Sequence, residues 1–148
     1  GVKVKGCEKC KEFVPHLEKA TKEDWATEYG DKIISIKAVK DLFDAVAHIN
    51  IYGSGHTDCI ISEDKQAVDT FMNLVDSAGV FANVSTRFAD GYRYGLGAEV
   101  GISTAKTHAR GPVGLEGLVI YKYKLYGSGQ TVAPYADGKK TFIHQRII

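Results

Sequence analysis

Between Lys32 and Val84, runs rich in β-formers alternate with runs of helical period, and few arrangements of a chain satisfy that pattern. Lys32 to Val39 (KIISIKAV) is strand-like. Asp41 is placed to cap a helix in which Leu42, Ala45, Val46 and Ile49 recur at helical spacing until Gly53 stops it. Thr57 to Ser62 (TDCIIS) suits a buried strand, Glu63 to Ser77 a helix with Ala67, Phe71, Leu74 and Val75 on its inner face, and Gly79 to Val84 a further strand. Strands joined through helices cannot be hairpin partners, so the pattern predicts an α/β layered domain with a largely parallel sheet and flanking helices.

The flanks are less regular. Val2 to Lys5 alternates apolar and basic residues with period 2, as a half-exposed strand does, and Gly6 to about Leu17 is a weak helix or a loop. Thr21-Lys22-Glu23-Asp24 has the form of a helix N-cap with an acidic first turn, opening a short helix through Thr27. Ser85 to Leu115 holds six glycines and three of the four arginines, Arg87, Arg93 and Arg110. A long irregular stretch of this kind is usually a binding or catalytic segment. From Gly117 to Tyr126 (GLVIYKYKLY) alternation returns, predicting a strand whose Lys122 and Lys124 guard an edge or line a subunit contact. The tail ends in Phe142, Ile143, Ile147 and Ile148, apolar residues that need a surface to dock on. Residues 1–116 are therefore set apart from 117–148, a strand and tail that suggest an oligomer.

Several function classes lose ground on composition. Nineteen basic residues face 18 acidic ones, so no net charge draws the chain to nucleic acid or to lipid headgroups. No apolar run approaches the ~20 residues that span a bilayer, and the first residues carry no signal-peptide pattern, which predicts a cytoplasmic protein with neither nucleic acid nor membrane as partner. Three cysteines, Cys7, Cys10 and Cys59, are an odd set without framework spacing and are expected as thiols. Cys7 and Cys10 have metal or redox spacing, but zinc needs a second pair, so no metal is expected. Gly95 to Gly101 (GLGAEVG) places its third glycine one residue late for a dinucleotide fingerprint. The chain opens on Gly1, with its sole Met at Met72, and is expected to be part of something longer.

Two clusters could recognise an anion. Ser85-Thr86-Arg87 directly follows a predicted strand, where α/β sheets place their ligand crevice, and sets two hydroxyls beside a guanidinium. His108-Ala109-Arg110-Gly111-Pro112 is a second cationic loop. A solvated turn and a rigid packed loop are the competing explanations. No Cys or Ser declares a neighbouring base, and Asp58 beside Cys59 gives that thiol no thiolate stabilisation. The residues alone support an anion-binding α/β domain.

Longer motifs add to this. Ile49-Asn50, Tyr52 to Asp58 (YGSGHTD), Val75 to Ala78 (VDSA), Asn83 to Gly91 (NVSTRFADG), Gly95 to Thr104 (GLGAEVGIST) and His108 to Leu118 (HARGPVGLEGL), in this order, resemble the gamma-glutamyl phosphate reductase (glutamate-5-semialdehyde dehydrogenase) family of the aldehyde dehydrogenase superfamily. The resemblance runs from about Thr21 to Tyr126. It implies an aldehyde-dehydrogenase-like catalytic-domain portion and an oxidoreductase of proline biosynthesis, reducing L-glutamyl 5-phosphate to L-glutamate 5-semialdehyde with NADP(H). It also implies a homo-oligomer. The family's nucleophilic cysteine and most of its cofactor-binding domain lie upstream of the matched segment, so this chain is expected to be a C-terminal part, inactive alone. Thr27-Glu28-Tyr29-Gly30 looks like the superfamily's Glu-x-Phe-Gly-Pro motif, with Tyr29 for Phe and Asp31 for Pro, which makes Glu28 the candidate contact to the nicotinamide ribose. Ser85, Thr86 and Arg87 fall in the substrate-side loop, Asp90 is placed to meet an α-ammonium, and His108 and Arg110 to meet substrate or support the loop. The alternative is a non-catalytic α/β module for anion binding or oligomerisation.

Overall fold

The computed structural model describes residues 1–106 and 108–144. Parallel pairing dominates, in two separate small sheets. In the first, β1 (Lys3–Gly6) lies between β2 (Glu18–Lys19) and β3 (Ile33–Ile36), both parallel to it. A single helical turn, α1 (Glu8–Lys11), follows β1. In the second, β4 (Thr57–Ile60) pairs in parallel with β5 (Gly79–Ala82), registering Thr57 on Gly79 and Ile60 on Ala82. Two helices frame this pair, α2 (Leu42–Tyr52) before β4 and α3 (Lys65–Leu74) between the strands. A third, antiparallel ladder joins β6 (Gly101–Ser103) to β7 (Gly111–Val113), and α4 (Ala133–Ala136) is a single turn in the tail. No helix among the described residues is long and apolar enough to cross a membrane.

The helices begin and end for local reasons. Asp41 accepts the Asp44 N–H at 2.9 Å, and Gly53 closes α2 where a β-carbon would stand 2.6 Å from the Ile49 carbonyl oxygen. Asp64 caps α3 by accepting from Gln66 and Ala67. The helix stops at Leu74, short of the expected Ser77. Asp76 and Ser77 are drawn out of helical register by Asn50, whose Oδ1 accepts the Asp76 N–H at 2.9 Å, and by Asp58, which accepts the Ser77 hydroxyl at 2.5 Å.

Val46, Phe71 and Val75 form the buried cluster, with Leu42, Ile49, Ile60 and Val80 packed around it. Leu74, expected inside, is 45% exposed. The core is small for the chain. Accessible surface totals 12019 Å², against about 7,400 Å² for a compact monomer of 16.1 kDa. The chain therefore presents a large area that a further body could cover.

Two expectations differ more sharply. Thr21 does not cap a helix: its N–H and hydroxyl both donate to Asp24, and the helix expected there is a single 3₁₀ turn, Glu23–Ala26. Gly117 to Tyr126 is not a paired strand. Leu115–Leu118 forms a 3₁₀ turn, and no described strand pairs with residues 119–126. Alternation supplies a strand's faces but not its partner, and Ile120, Tyr121, Tyr123 and Leu125 are all at least 90% exposed. In the tail, Phe142 stacks on Tyr135 with ring centroids 4.7 Å apart, while Ile147 and Ile148 lie outside the described residues.

Candidate functional site

The parallel β4–α3–β5 unit sends both strands toward one end, and the chain leaves β5 there through Asn83. Asn83 has φ 55, a left-handed conformation that Asn tolerates better than branched residues. Its side chain takes over where the ladder ends: Oδ1 accepts the Ser62 N–H at 2.9 Å and Nδ2 donates to the Ser62 carbonyl at 2.8 Å. The Asn83 N–H donates to the Ile60 carbonyl at 2.8 Å. One carboxamide thus ties the exits of both strands together, which is why β4 ends at Ile60 rather than Ser62. Cys59, from within β4, donates its thiol to the Val84 carbonyl at 3.1 Å.

The Ser85-Thr86-Arg87 segment follows at once, as a 3₁₀ turn over Thr86–Phe88. Ser85 caps it by accepting the Arg87 N–H at 3.2 Å, and the Phe88 and Ala89 N–H groups donate to the Ser85 and Thr86 carbonyls. Arg87 is exposed and makes no ion pair among the described residues. Asp90 already has partners. Its Oδ1 accepts the N–H groups of Tyr92 and Arg93, and its Oδ2 pairs with the Arg93 guanidinium at 3.1 Å. Arg93 also donates to the Arg87 carbonyl at 2.8 Å. Arg93 therefore braces the turn that carries Arg87, a role that its position in a glycine-rich stretch gave no sign of.

The glycine run that follows is a folded turn leading into the β6–β7 ladder. Gly91 is buried against Glu99, whose Oε2 accepts the Gly91 N–H at 2.7 Å, and a β-carbon there would meet the Ala98 carbonyl oxygen at 2.6 Å. A groove of about 330 Å³ lies between Gly95-Leu96 and the Pro112 to Gly117 strand-and-turn.

His108 and Arg110 are held by protein groups. His108 donates Nε2–H to the Gly117 carbonyl at 3.2 Å. Arg110 grips Asp76 twice, through Nη1 to Oδ1 at 3.0 Å and Nη2 to the carbonyl at 2.7 Å. Lys106 pairs with the other carboxylate oxygen, and the hydrogen bonds from Lys106 and Arg110 hold the Asp76 carboxyl below its ordinary range. Arg110 Nε is buried without a protein partner. This clasp joins the cationic loop to the α3–β5 connection, so its geometry suits positioning better than direct capture of a ligand.

Glu28 lines a separate open cleft of about 690 Å³ with Trp25, Tyr52, Gly53 and His56. The cleft wall is aromatic. His48 packs edge-on to Trp25 and against Tyr52, at 5.6 and 4.8 Å between centroids. Burial, and then the Lys37 charge beside it, push the His48 ring below its ordinary 6.5, so it stays neutral and accepts from Lys37 Nζ at 3.1 Å.

The segment leading to Glu28 is anchored by a residue that sequence reasoning took only for helix-start chemistry. Asp24, 6% exposed, accepts from Lys5 Nζ at 2.7 Å, the Thr21 N–H at 2.7 Å, the Tyr29 hydroxyl at 2.8 Å and the Thr21 hydroxyl at 3.0 Å. The bond from Lys5, followed by those from Thr21 and Tyr29, holds its carboxyl far below the usual carboxylate range. Tyr29, which stands where the resemblance expects Phe, thus donates its hydroxyl to Asp24. The two sets of candidates stand apart: Glu28 lines the aromatic cleft, and Ser85 to Asp90 follow the exit of β5. Among the described residues no group of three His, Cys, Asp or Glu is placed to hold a metal ion.

Comparison with known proteins places this geometry. No family model matches the chain. The gamma-glutamyl phosphate reductase of Acetivibrio thermocellus is 57% identical over 146 residues and that of Acaryochloris marina 63% identical over 147, each alignment covering 99% of this chain. The similarity thus extends past the Thr21 to Tyr126 limits of the motifs into both ends. The crystal structure of gamma-glutamyl phosphate reductase from Thermotoga maritima superimposes with a TM-score of 0.84 at 48% identity, over 88% of this chain and 32% of that one. The α/β fold is therefore the one found in that reductase, and the chain spans about a third of the length of the relatives it matches.

Proposed function

We propose that this chain is the substrate-pocket portion of an NADPH-dependent reductase that converts L-glutamyl 5-phosphate to L-glutamate 5-semialdehyde in proline biosynthesis. The observation that carries the reading is identity of 57% and 63% to two gamma-glutamyl phosphate reductases across almost every residue. The chemistry is divided. By the resemblance, the family's cysteine nucleophile belongs to polypeptide upstream of this segment; of the cysteines here, Cys59 lies within β4 with its thiol on the Val84 carbonyl, and Cys7 and Cys10 stand at the β1–α1 turn. What these residues supply is recognition.

The substrate carries a carboxylate and an acyl phosphate, both anionic. Arg87 offers a planar fork of donors without an internal ion pair to break, and Thr86 adds a hydroxyl beside it. Ser85, accepting the Arg87 N–H, fixes the direction of the turn and keeps its own O–H as a donor for the anion. Asp90 meets the substrate ammonium through whichever lone pairs Arg93 leaves free. His108 and Arg110 act by holding the loop, through Gly117 and Asp76.

The Glu28 cleft fits one end of a nicotinamide cofactor: its carboxylate accepts from ribose hydroxyls, and the Trp25 and Tyr52 walls suit a flat ring. When bound, the nicotinamide supplies hydride. Glu28 orients it, and His48, packed against Trp25 and Tyr52, steadies the two rings. The exposed 119–126 run is assigned to pairing with a second copy of the protein, which gives the unpartnered backbone its ladder. The setting is the cytoplasm.

Steady-state kinetics of Arg87→Ala in the full-length protein tests the reading. Loss of a charge-assisted bond predicts a drop of about 10-fold or more in kcat/KM for the semialdehyde, with partial recovery in Arg87→Lys. Unchanged kcat/KM in both variants removes Arg87 from the site.

A further inference from the structure

The Cys7 to Cys10 pair has no part in the reaction above, yet its geometry is specific. β1 delivers Cys7 to the start of α1, and one turn returns Cys10 beside it, with the two sulfurs 3.5 Å apart. The thiols are unequal. Cys7 is half-buried, whereas Cys10 is 8% exposed and directs its Sγ toward the Ile36 carbonyl at 3.5 Å. Gly6 makes this packing possible: a β-carbon there would lie 3.0 Å from Cys10 Cβ and 2.7 Å from Leu17 Cδ1. Bridging needs the sulfurs to close by about 1.5 Å, within reach of side-chain rotation.

We propose that Cys7 and Cys10 form a thiol–disulfide exchange site for low-molecular-weight disulfides of the glutathione class, with Cys7 as the attacking and Cys10 as the resolving sulfur. In the first step Cys7 sulfur, its proton lost to solvent, bonds to one sulfur of the disulfide, whose S–S bond breaks to release one thiolate. In the second, Cys10 sulfur, also deprotonated, bonds to Cys7 Sγ and expels the second thiolate. The protein dithiol loses two electrons and two protons, and the small disulfide becomes two thiols.

The surroundings of Cys7 favour its thiolate. The Ala38 N–H reaches its sulfur at 3.4 Å, and with bonds from the Cys10 N–H, the Cys10 thiol and the Lys9 N–H it outweighs burial and lowers the Cys7 thiol from its ordinary value. The acid next in sequence, Glu8, is occupied by Lys19 at 2.8 Å and Lys11 at 3.8 Å. Cys59 lies in the other parallel sheet, its thiol on the Val84 and Ile60 carbonyls. The site stands on the β1–α1 geometry alone and does not depend on which reaction the protein catalyses.

The experiment is oxidation of the full-length protein with excess oxidised glutathione, an acid quench, alkylation of remaining thiols and peptide mass spectrometry. The expected product links Cys7 to Cys10 and leaves Cys59 alkylated. In Cys10→Ser, a glutathione mixed disulfide accumulates on Cys7. In Cys7→Ser, Cys10 reacts at least ~10-fold more slowly than Cys7 does in the reciprocal variant. Absence of the wild-type link, a mixed disulfide forming on Cys10 as fast as on Cys7, or a link to Cys59 overturns the proposal.

Discussion

Replacing Asn83 separates two things the structure asks of one residue. The carboxamide makes two hydrogen bonds to Ser62, at 2.9 and 2.8 Å, while the backbone holds φ 55. Asn83→Gly loses the bonds but meets no conformational penalty in the left-handed region. At about 0.5–1 kcal/mol per bond, low in the usual range because Ser62 is within reach of water, that variant loses about 1–2 kcal/mol. Asn83→Ala loses the same bonds and holds a left-handed backbone that Ala tolerates less well than Asn or Gly, at about 1 kcal/mol more, for a total of about 2–3 kcal/mol. Tenfold per 1.4 kcal/mol makes this about a 30- to 140-fold rise in local opening at the exit of β5. Native-state hydrogen exchange reads it directly. The Ser62, Phe88 and Ala89 amides should lose protection by that factor in Asn83→Ala and by roughly fivefold less in Asn83→Gly, while amides within the β4–β5 ladder hold. Equal effects of Ala and Gly would refute the backbone argument. Unchanged protection in both would refute the claim that this carboxamide anchors the Arg87 turn.

Phe71, 3% exposed at the centre of the core cluster, should cost about 3–5 kcal/mol on replacement by Ala, measured by denaturant unfolding of the full-length protein, whereas Met72→Ala, at a side chain 42% exposed, should cost less than about 1 kcal/mol. Acid should weaken the Asp24 hub. Its carboxyl is depressed in the folded state from an ordinary 3.8, so its stabilisation is present above that value and is lost as pH falls from about 5 through the folded-state titration. Asp24→Asn should therefore flatten the acid limb of a stability–pH profile, and an unaltered slope would show that the hub carries no pH dependence.

What the sequence made legible was what local physics decides. Asp41 and Gly53 mark α2 because a cap and a helix stop depend on neighbouring backbone alone, and the alternation through β4, α3 and β5 needs only hydrophobic period. What it hid depends on contacts from afar. Asp24 reads as a first-turn acid until Lys5 arrives from another strand and Tyr29 folds back from beyond the turn, and Asp76 reads as the last turn of a helix until Asn50, Lys106 and Arg110 claim it. The three-residue strands β6 and β7 are too short to show a period among their glycines. The 119–126 run differs in the opposite way: its alternation is real, but no strand among the described residues gives it a ladder. At the candidate site, Ser85 to Arg87 was found because it follows a strand, while its supports, Asn83 and Arg93, follow no local rule that would single them out.

The central claim is that the turn at the exit of β5 grips an anionic glutamate derivative beside the reactive thiol of the whole protein. A crystal structure of the full-length protein with a non-hydrolysable glutamyl phosphate analogue tests this most directly. The account predicts an anionic group of the analogue within hydrogen-bonding distance of Thr86 and Arg87, with its γ-carbonyl against the nucleophilic cysteine. An analogue bound elsewhere, with Arg87 still facing solvent, would contradict it.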